Sequence, residues 1–177
     1  NDGSINHSGD EKSGKTEGID EKISVDLNKL STNSKIKAVV LLVNSLSEKN
    51  LNNVKSSKVL IAFEKQVFAT LNCSELKGDN YTFLPGVIYR ANDLTWKIRN
   101  ISEGSNSKNF TESIPFVLGN LKFLIDPVLM EEAKAWNINT SKSYNLKKGE
   151  SVYLADCLDK VAMGLGWETQ CDIDSSV

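Results

Sequence analysis

The chain is predicted to fold as a mostly β protein, a two-sheet antiparallel β-sandwich with one or two short helices near residues 114–136. Three observations carry that prediction. From Lys22 to Leu27, apolar Ile23, Val25 and Leu27 alternate with polar Lys22, Ser24 and Asp26, the period of two that a half-buried strand requires. Ile36 to Val43 is rich in β-branched residues, as a strand buried on both faces must be. Two pairs of apolar runs, Lys58 to Phe63 with Gln66 to Leu71 and Tyr81 to Arg90 with Leu94 to Ile101, are broken by Glu64-Lys65 and Asn92-Asp93, which reads as two hairpins of an antiparallel meander.

The remaining elements follow in order. Residues 1–21 carry only Ile5 and Ile19 as large apolar side chains, with four glycines, and read as loop. Ser102 to Asn109 is a polar breaker. Asp126-Pro127 is a helix start, because Asp caps free amides and Pro is tolerated at the first helical position. Val128, Leu129, Ala133 and Trp136 would then form the buried face of about three turns of helix. Tyr144 to Leu146, Val152 to Leu154 and Val161 to Trp167 return to strand patterning, with Lys148-Gly149-Glu150 as a turn.

The 177 residues, 40% hydrophobic and 25% charged, suffice for one domain with a real core. The longest apolar runs, such as Ala38 to Val43, fall far short of the roughly 20 residues of a membrane span, and the polar, acidic start does not read as a signal sequence. A formal charge of −2 gives no footprint for nucleic acid. Cys73, Cys157 and Cys171 are odd in number and lack Cys-x-x-Cys spacing, so they read as reduced thiols of a cytosolic protein. Among 21 basic residues only Arg90 and Arg99 are arginine, from which no function is read.

Asp10, Glu11, Glu17, Asp20 and Glu21 place five carboxylates within twelve residues, interspersed with Gly14 and Gly18. Like charges so close repel, and glycines let a loop turn its carbonyls inward. A hard cation relieves the repulsion. Ca²⁺ takes six to eight oxygens at about 2.3–2.6 Å in flexible geometry, whereas Mg²⁺ demands a tighter octahedron. On composition alone, a solvated acidic loop is the simpler account, and the ordered EF-hand pattern does not occur in it. Asp172 and Asp174 stand two apart, on one side of any extended strand. His7 is the single histidine, so histidine-based hydrolase triads have one possible member, and neighbouring Ser8 would point away from it on an extended chain. Trp96 and Trp167 read as core. Gly164-x-Gly166 lacks the rest of a dinucleotide motif.

Gly3-Ser4-Ile5-Asn6-His7-Ser8-Gly9-Asp10, Ser13-Gly14, Glu17-Gly18, Asp20-Glu21 and Val25-Asp26-Leu27 together resemble the signature loop of the TerD domain of tellurium-resistance and stress proteins. The resemblance continues in Tyr89-Arg90 and Trp96-Lys97. It reappears in Tyr144 to Gly149, Gly164 to Glu168 and Cys171 to Ser176. It implies a two-sheet sandwich that binds Ca²⁺ near the acidic loop, with Asp10, Glu17, Asp20, Glu21, Asp172 and Asp174 on matching acidic positions. Glu168 stands where the family has Asp. Lys15 and Ile19 depart from acids. The segments resembling 144–177 open the family's domain and those resembling 1–101 complete it, so the order is cyclically shifted. Residues 1–143 then read as the second part of a TerD-like domain with a C-terminal helix and linker, and 144–177 as opening strands, together about one domain. A cut from a tandem array is favoured over a permuted domain, because residues 102–143 look like a linker to a new start.

The resemblance implies a calcium-binding module of a cytosolic stress-response protein that acts by metal-dependent contact with unidentified protein partners, without turnover. The alternatives are a metal-assisted hydrolase and a metal-independent interaction domain. A complete site needs both ends of the chain. They are expected to meet within one molecule, because loop closure costs little more as loops lengthen, and a swapped dimer is the other geometry.

Overall fold

Residues 2–9, 19–45, 49–54, 58–63, 66–72, 76–124, 135–136, 144–154, 160–166 and 173–176 are described by the structure, a computed structural model. In chain order the strands are β1 (Ile5–His7), β2 (Glu21–Asp26), β3 (Ala38–Val40), β4 (Leu42–Ser45), β5 (Lys58–Phe63), β6 (Gln66–Asn72), β7 (Thr82–Arg90), β8 (Trp96–Ser105), β9 (Ala135–Trp136), β10 (Tyr144–Asn145), β11 (Ser151–Leu154), β12 (Lys160–Gly166) and β13 (Ile173–Ser176). The helices are α1 (Leu27–Thr32) and α2 (Phe110–Asn120).

The strands form two sheets. The first has the order β1-β2-β12-β5-β6-β10, and the second β13-β4-β7-β8-β11-β9, with β3 also on β7. Pairing is antiparallel except for the short contacts of β10 with β6 and β9 with β11. The alternation read at Lys22 to Leu27 does its expected work, since Ile23 and Val25 point inward beside Ile61, Leu71, Val161 and Met163 of the same sheet. Val43, Phe83, Ile88, Ile98 and Val152 of the second sheet close the core from the other side. This is a mostly β sandwich.

β7 is buried along nearly its whole length because it is covered twice. Its inner side chains enter the sandwich core, while Leu84, Val87 and Tyr89 face outward onto Phe123, Phe116, Val117 and Leu121. Proline and glycine set the geometry at its centre. Pro85 has no N–H to give a ladder, and β8 answers with an extra residue, its register with β7 shifting between Leu84 and Gly86. Ser102 takes φ 49 there, as a bulge demands. At Gly86 a Cβ would stand 2.7 Å from the Arg99 carbonyl oxygen, so no side chain fits.

Several expectations change. β8 runs on to Ser105, through half of the polar stretch read as a breaker, because pairing resumes beyond the bulge with Thr82, Phe83 and Leu84. Residues 5–7, read as loop, form β1 because β2 offers them a partner edge, Ile5 opposite Val25 and His7 opposite Ile23. The helix near residues 114–136 occupies Phe110–Asn120. Asn109 Oδ1 accepts from the Glu112 amide at 3.0 Å, and Glu112 accepts in return from the Lys108 amide at 2.9 Å, a capping box shifted outward by one residue. The Asp126-Pro127 start lies outside the described residues, and so do Cys73, Cys157, Cys171, Trp167 and the Glu64-Lys65 turn. Ala135 and Trp136, read as the helix's end, instead pair as strand with Ser151 and Val152. Helix α1 was not foreseen. Asp26 caps it by accepting from the Lys29 amide at 3.0 Å, and Trp96, in the core as expected, donates through Nε1 to Ser31 of this helix at 2.8 Å.

The β7–β8 turn closes with Leu94 N donating to Ala91 O at 3.0 Å and Ala91 N to Thr95 O at 2.8 Å. That is a type I turn followed by a left-handed residue, a position that suits glycine. Leu94 holds it, at φ 67 and 64% exposed. Replacing Leu94 by glycine removes the left-handed strain while giving up little burial, so Leu94→Gly is expected to stabilise the fold by about 0.5–1 kcal/mol. An unchanged or lowered midpoint in urea unfolding would contradict this.

Candidate functional site

The acidic loop leaves β1 and re-enters at β2, and its base is tied by backbone pairing. Ser8 N donates to Lys22 O at 2.8 Å, and Lys22 N donates to Ser8 Oγ at 2.9 Å. Ser8, which as a nucleophile had little support, is a clasp across fourteen residues of chain. Gly9 continues at φ 106, a conformation that favours glycine, and its amide donates to His7 Nδ1 at 3.1 Å.

That hydrogen bond occupies Nδ1 and turns Nε2 toward the start of β2. Nε2 lies 3.4 Å from Glu21 Oε2. Glu21 is 1% exposed because it shares the inward face of β2 with Ile23 and Val25, and burying a carboxylate is costly without compensating groups. Beside it, Asp20 Oδ1 is shut off from solvent as well. Two hard oxygen donors are therefore held at the mouth of the loop.

The far end of the chain arrives at the same mouth. β12 runs antiparallel to β2, with Leu165 opposite Glu21, so the chain that leaves β12 does so beside the chain that enters β2. Glu168 follows Leu165 by three residues, about 10 Å of extended chain at most. Asp174 stands in the second sheet, its backbone opposite Asn44. Asp10, Glu17, Glu168 and Asp172 lie outside the described residues. Among the described residues, no group of three or more His, Cys, Asp or Glu side chains could hold a metal ion. Of the expected ligands, Asp20 and Glu21, neighbours in sequence, stand at the loop mouth with His7 against Glu21, and Asp174 stands in the other sheet. Sequence reasoning missed His7 and Ser8 as parts of the site because a strand pairing, not their spacing, puts them there. Ile19, where an acid was expected, is 43% exposed, so this departure from the motif leaves the core untouched.

A second feature adjoins the start of β1. An apolar groove of about 650 Å³ is lined by Ser4, Ile5, Val40, Phe110, Ile114 and Leu118, among others, with Asp2 at its edge. Phe110, Ile114 and Leu118 fall at steps of four on α2, and all three are exposed. Hydrogen bonds from Ser4, side chain and then backbone, hold the Asp2 carboxyl below its ordinary range, which keeps this edge negative.

A two-sheet sandwich with an acid-bearing loop clasped at one edge of its first sheet is the class that fold and site define. The TerD domain matches residues 1–112, more than half of the chain, and the protein belongs to that family, the tellurite-resistance type of stress domain. No curated protein and no solved structure is significantly similar to it. Tyr89-Arg90 and Trp96-Lys97 stand opposite each other across the β7–β8 hairpin, Tyr89 with Lys97 and Arg90 with Trp96. No helix among the described residues is long and apolar enough to cross a membrane.

The clasp is open to test. Ser8→Ala removes the acceptor for the Lys22 amide and is expected to cost about 0.5–1.5 kcal/mol. Hydrogen exchange should speed up at Lys22 while the β5–β12 amides stay protected. Equal acceleration in both places would mean that Ser8 does not act locally.

Proposed function

We propose that the protein is a calcium-binding TerD module of a stress-response assembly, and that it works by metal-dependent contact with other proteins, without catalysing a reaction. The observation that carries this reading is the burial of Glu21 beside Asp20 where the acidic loop and the exit of β12 converge. Carboxylates are the donors that Ca²⁺ prefers, and this donor set fits such an ion. Asp10, Glu17, Glu168, Asp172 and Asp174 are the further ligands this reading assigns. When bound, Ca²⁺ would supply the positive charge that the loop's acids lack. His7 would orient the Glu21 carboxylate from behind, as hydrogen-bonded neighbours of metal ligands do.

β1 gives the contact a mechanism. Its first residue, Ile5, lines the apolar groove, and its last, His7, touches Glu21. Ordering of the loop would thus be transmitted along three residues to an exposed apolar surface that a partner could cover. β12 fills the gap between β2 and β5, and on this reading the strands of residues 144–177 complete the fold within the same chain. The cytosol as compartment and the absence of catalysis belong to this same reading.

Titration calorimetry with Ca²⁺ and with Mg²⁺ is the direct test, with melting followed before and after chelation. Binding to the folded state alone raises stability by about 2.7 kcal/mol at 100 times Kd, so a melting temperature indifferent to chelation at saturating Ca²⁺ defeats the proposal. Asp20→Asn and Glu21→Gln are expected to weaken Ca²⁺ binding more than Glu11→Gln, since the first two carry oxygens shielded at the loop mouth. Equal losses for all three would point to diffuse acidity with no shaped site. Light scattering over a hundredfold dilution should find a constant monomer mass. A dimer that dissociates when Asp172 and Asp174 are both changed to Asn would instead support exchange of ends between molecules.

A further inference from the structure

The outward face of the second sheet carries a cavity that the calcium reading leaves unused. It measures about 270 Å³ and lies between β8, the end of α2 and the turn before β11. Arg99, Lys122 and Lys148 line it against one carboxylate, Glu103, and Lys148 Nζ pairs with that carboxylate at 2.5 Å. Among the described lining residues, two positive charges remain over.

Arg99 is the telling residue. Its Cζ lies 4.3 Å from the centre of the Phe123 ring, which answers the flat face of the guanidinium but not the N–H bonds in its plane. Nε and Nη1 are cut off from solvent and have no hydrogen-bond partner among the described residues. Tyr89 meets the same Phe123 ring edge-on at 5.3 Å. Among the described residues, two N–H donors of a cation that lines the cavity therefore have no acceptor. Buried donors are normally satisfied, and a cation in such a place calls for a counter-charge.

The geometry points to an oxyanion site at this cavity, for a small ligand carrying a phosphate-type group, held by the Arg99 guanidinium and the Lys122 ammonium. An oxyanion is acceptor-only and negative, which are the two properties the pocket lacks. The planar fork of arginine suits its paired oxygens, and lysine adds a point charge. A volume just under the range of drug-sized sites, about 300–1,000 Å³, matches inorganic phosphate or a compact phosphate monoester.

The test uses the metal-free protein, so that it stands or falls separately from the calcium proposal. Inorganic phosphate and glycerol 3-phosphate are titrated in parallel at constant ionic strength, with chloride as the control, and amide NMR shifts are followed at Gly119, Lys122 and Gly149. A saturable shift confined to these amides is expected. Tighter binding of glycerol 3-phosphate would identify an ester as the ligand, and equal or tighter binding of phosphate the free ion. Arg99→Gln should weaken binding about tenfold or more, with Arg99→Lys in between because the charge stays and the fork is lost. Lys122 is exposed, so Lys122→Gln tests the site even if the Arg99 variants fold poorly, and it should weaken binding severalfold while remote Lys35→Gln does not. No saturable shift through about 10 mM, a range that reaches well into weak binding, would overturn the proposal. Equal losses for Lys122→Gln and Lys35→Gln would overturn it too.

Discussion

The first sheet exists only because β12 sits between β2 and β5. Those two strands share no edge, and each pairs with β12 over five or six residues. Without β12, two strand edges lined by Val25, Ile61 and Ala62 would lie open, an arrangement prone to pairing with other chains. The inward faces of β2 and β5 would also lose Val161 and Met163 from the core. Residues 160–166 lie beyond the part of the chain that the TerD domain matches, yet the sheet of the matched part depends on them.

The same strand explains why the acidic site stands where it does. An antiparallel strand ends where its neighbour begins, so placing Leu165 against Glu21 puts the end of β12 beside the start of β2. Parallel pairing would have put that end on the opposite side. On the calcium reading, the register that closes the sheet would also serve to gather carboxylates from distant sequence. At the mouth, Glu21 keeps the inward parity of Ile23 and Val25, which accounts for a buried carboxylate at the margin of an apolar core.

Much of this was legible beforehand, where the signal was local. The alternation at β2, the two hairpins and the Gly149 turn follow from short-range pattern and turn chemistry, and the structure keeps them nearly to the residue. What was not legible depended on a distant partner or on competition between signals. β1 has three residues and no pattern of its own, and it is a strand because β2 accepts it. The capping box at Asn109 and Glu112 was present in the sequence but stood in a stretch dominated by Ser, Asn and Gly, with Pro115 following inside the helix. Asp20 and Glu21 could be read as candidate ligands from the acid run. That Glu21 is buried and that His7 lies against it required knowing which strand pairs with which.

The arrangement of charge over the sandwich gives the two candidate sites independence. Asp20 and Glu21 stand at one end of the first sheet, whereas Arg99 and Lys122 lie on the outward face of the second, with the sandwich core in between. Packed sheets stand about 10 Å apart, and the longer path through solvent around the sandwich exceeds the roughly 8 Å over which physiological salt screens exposed charges. A cationic cavity on the near side of the core would offer the loop's carboxylates a partner and compete with any metal for them. On the far side it can remain positive while the loop remains negative. A chain of small net charge can thereby hold two fields of opposite sign on opposite sides of its core.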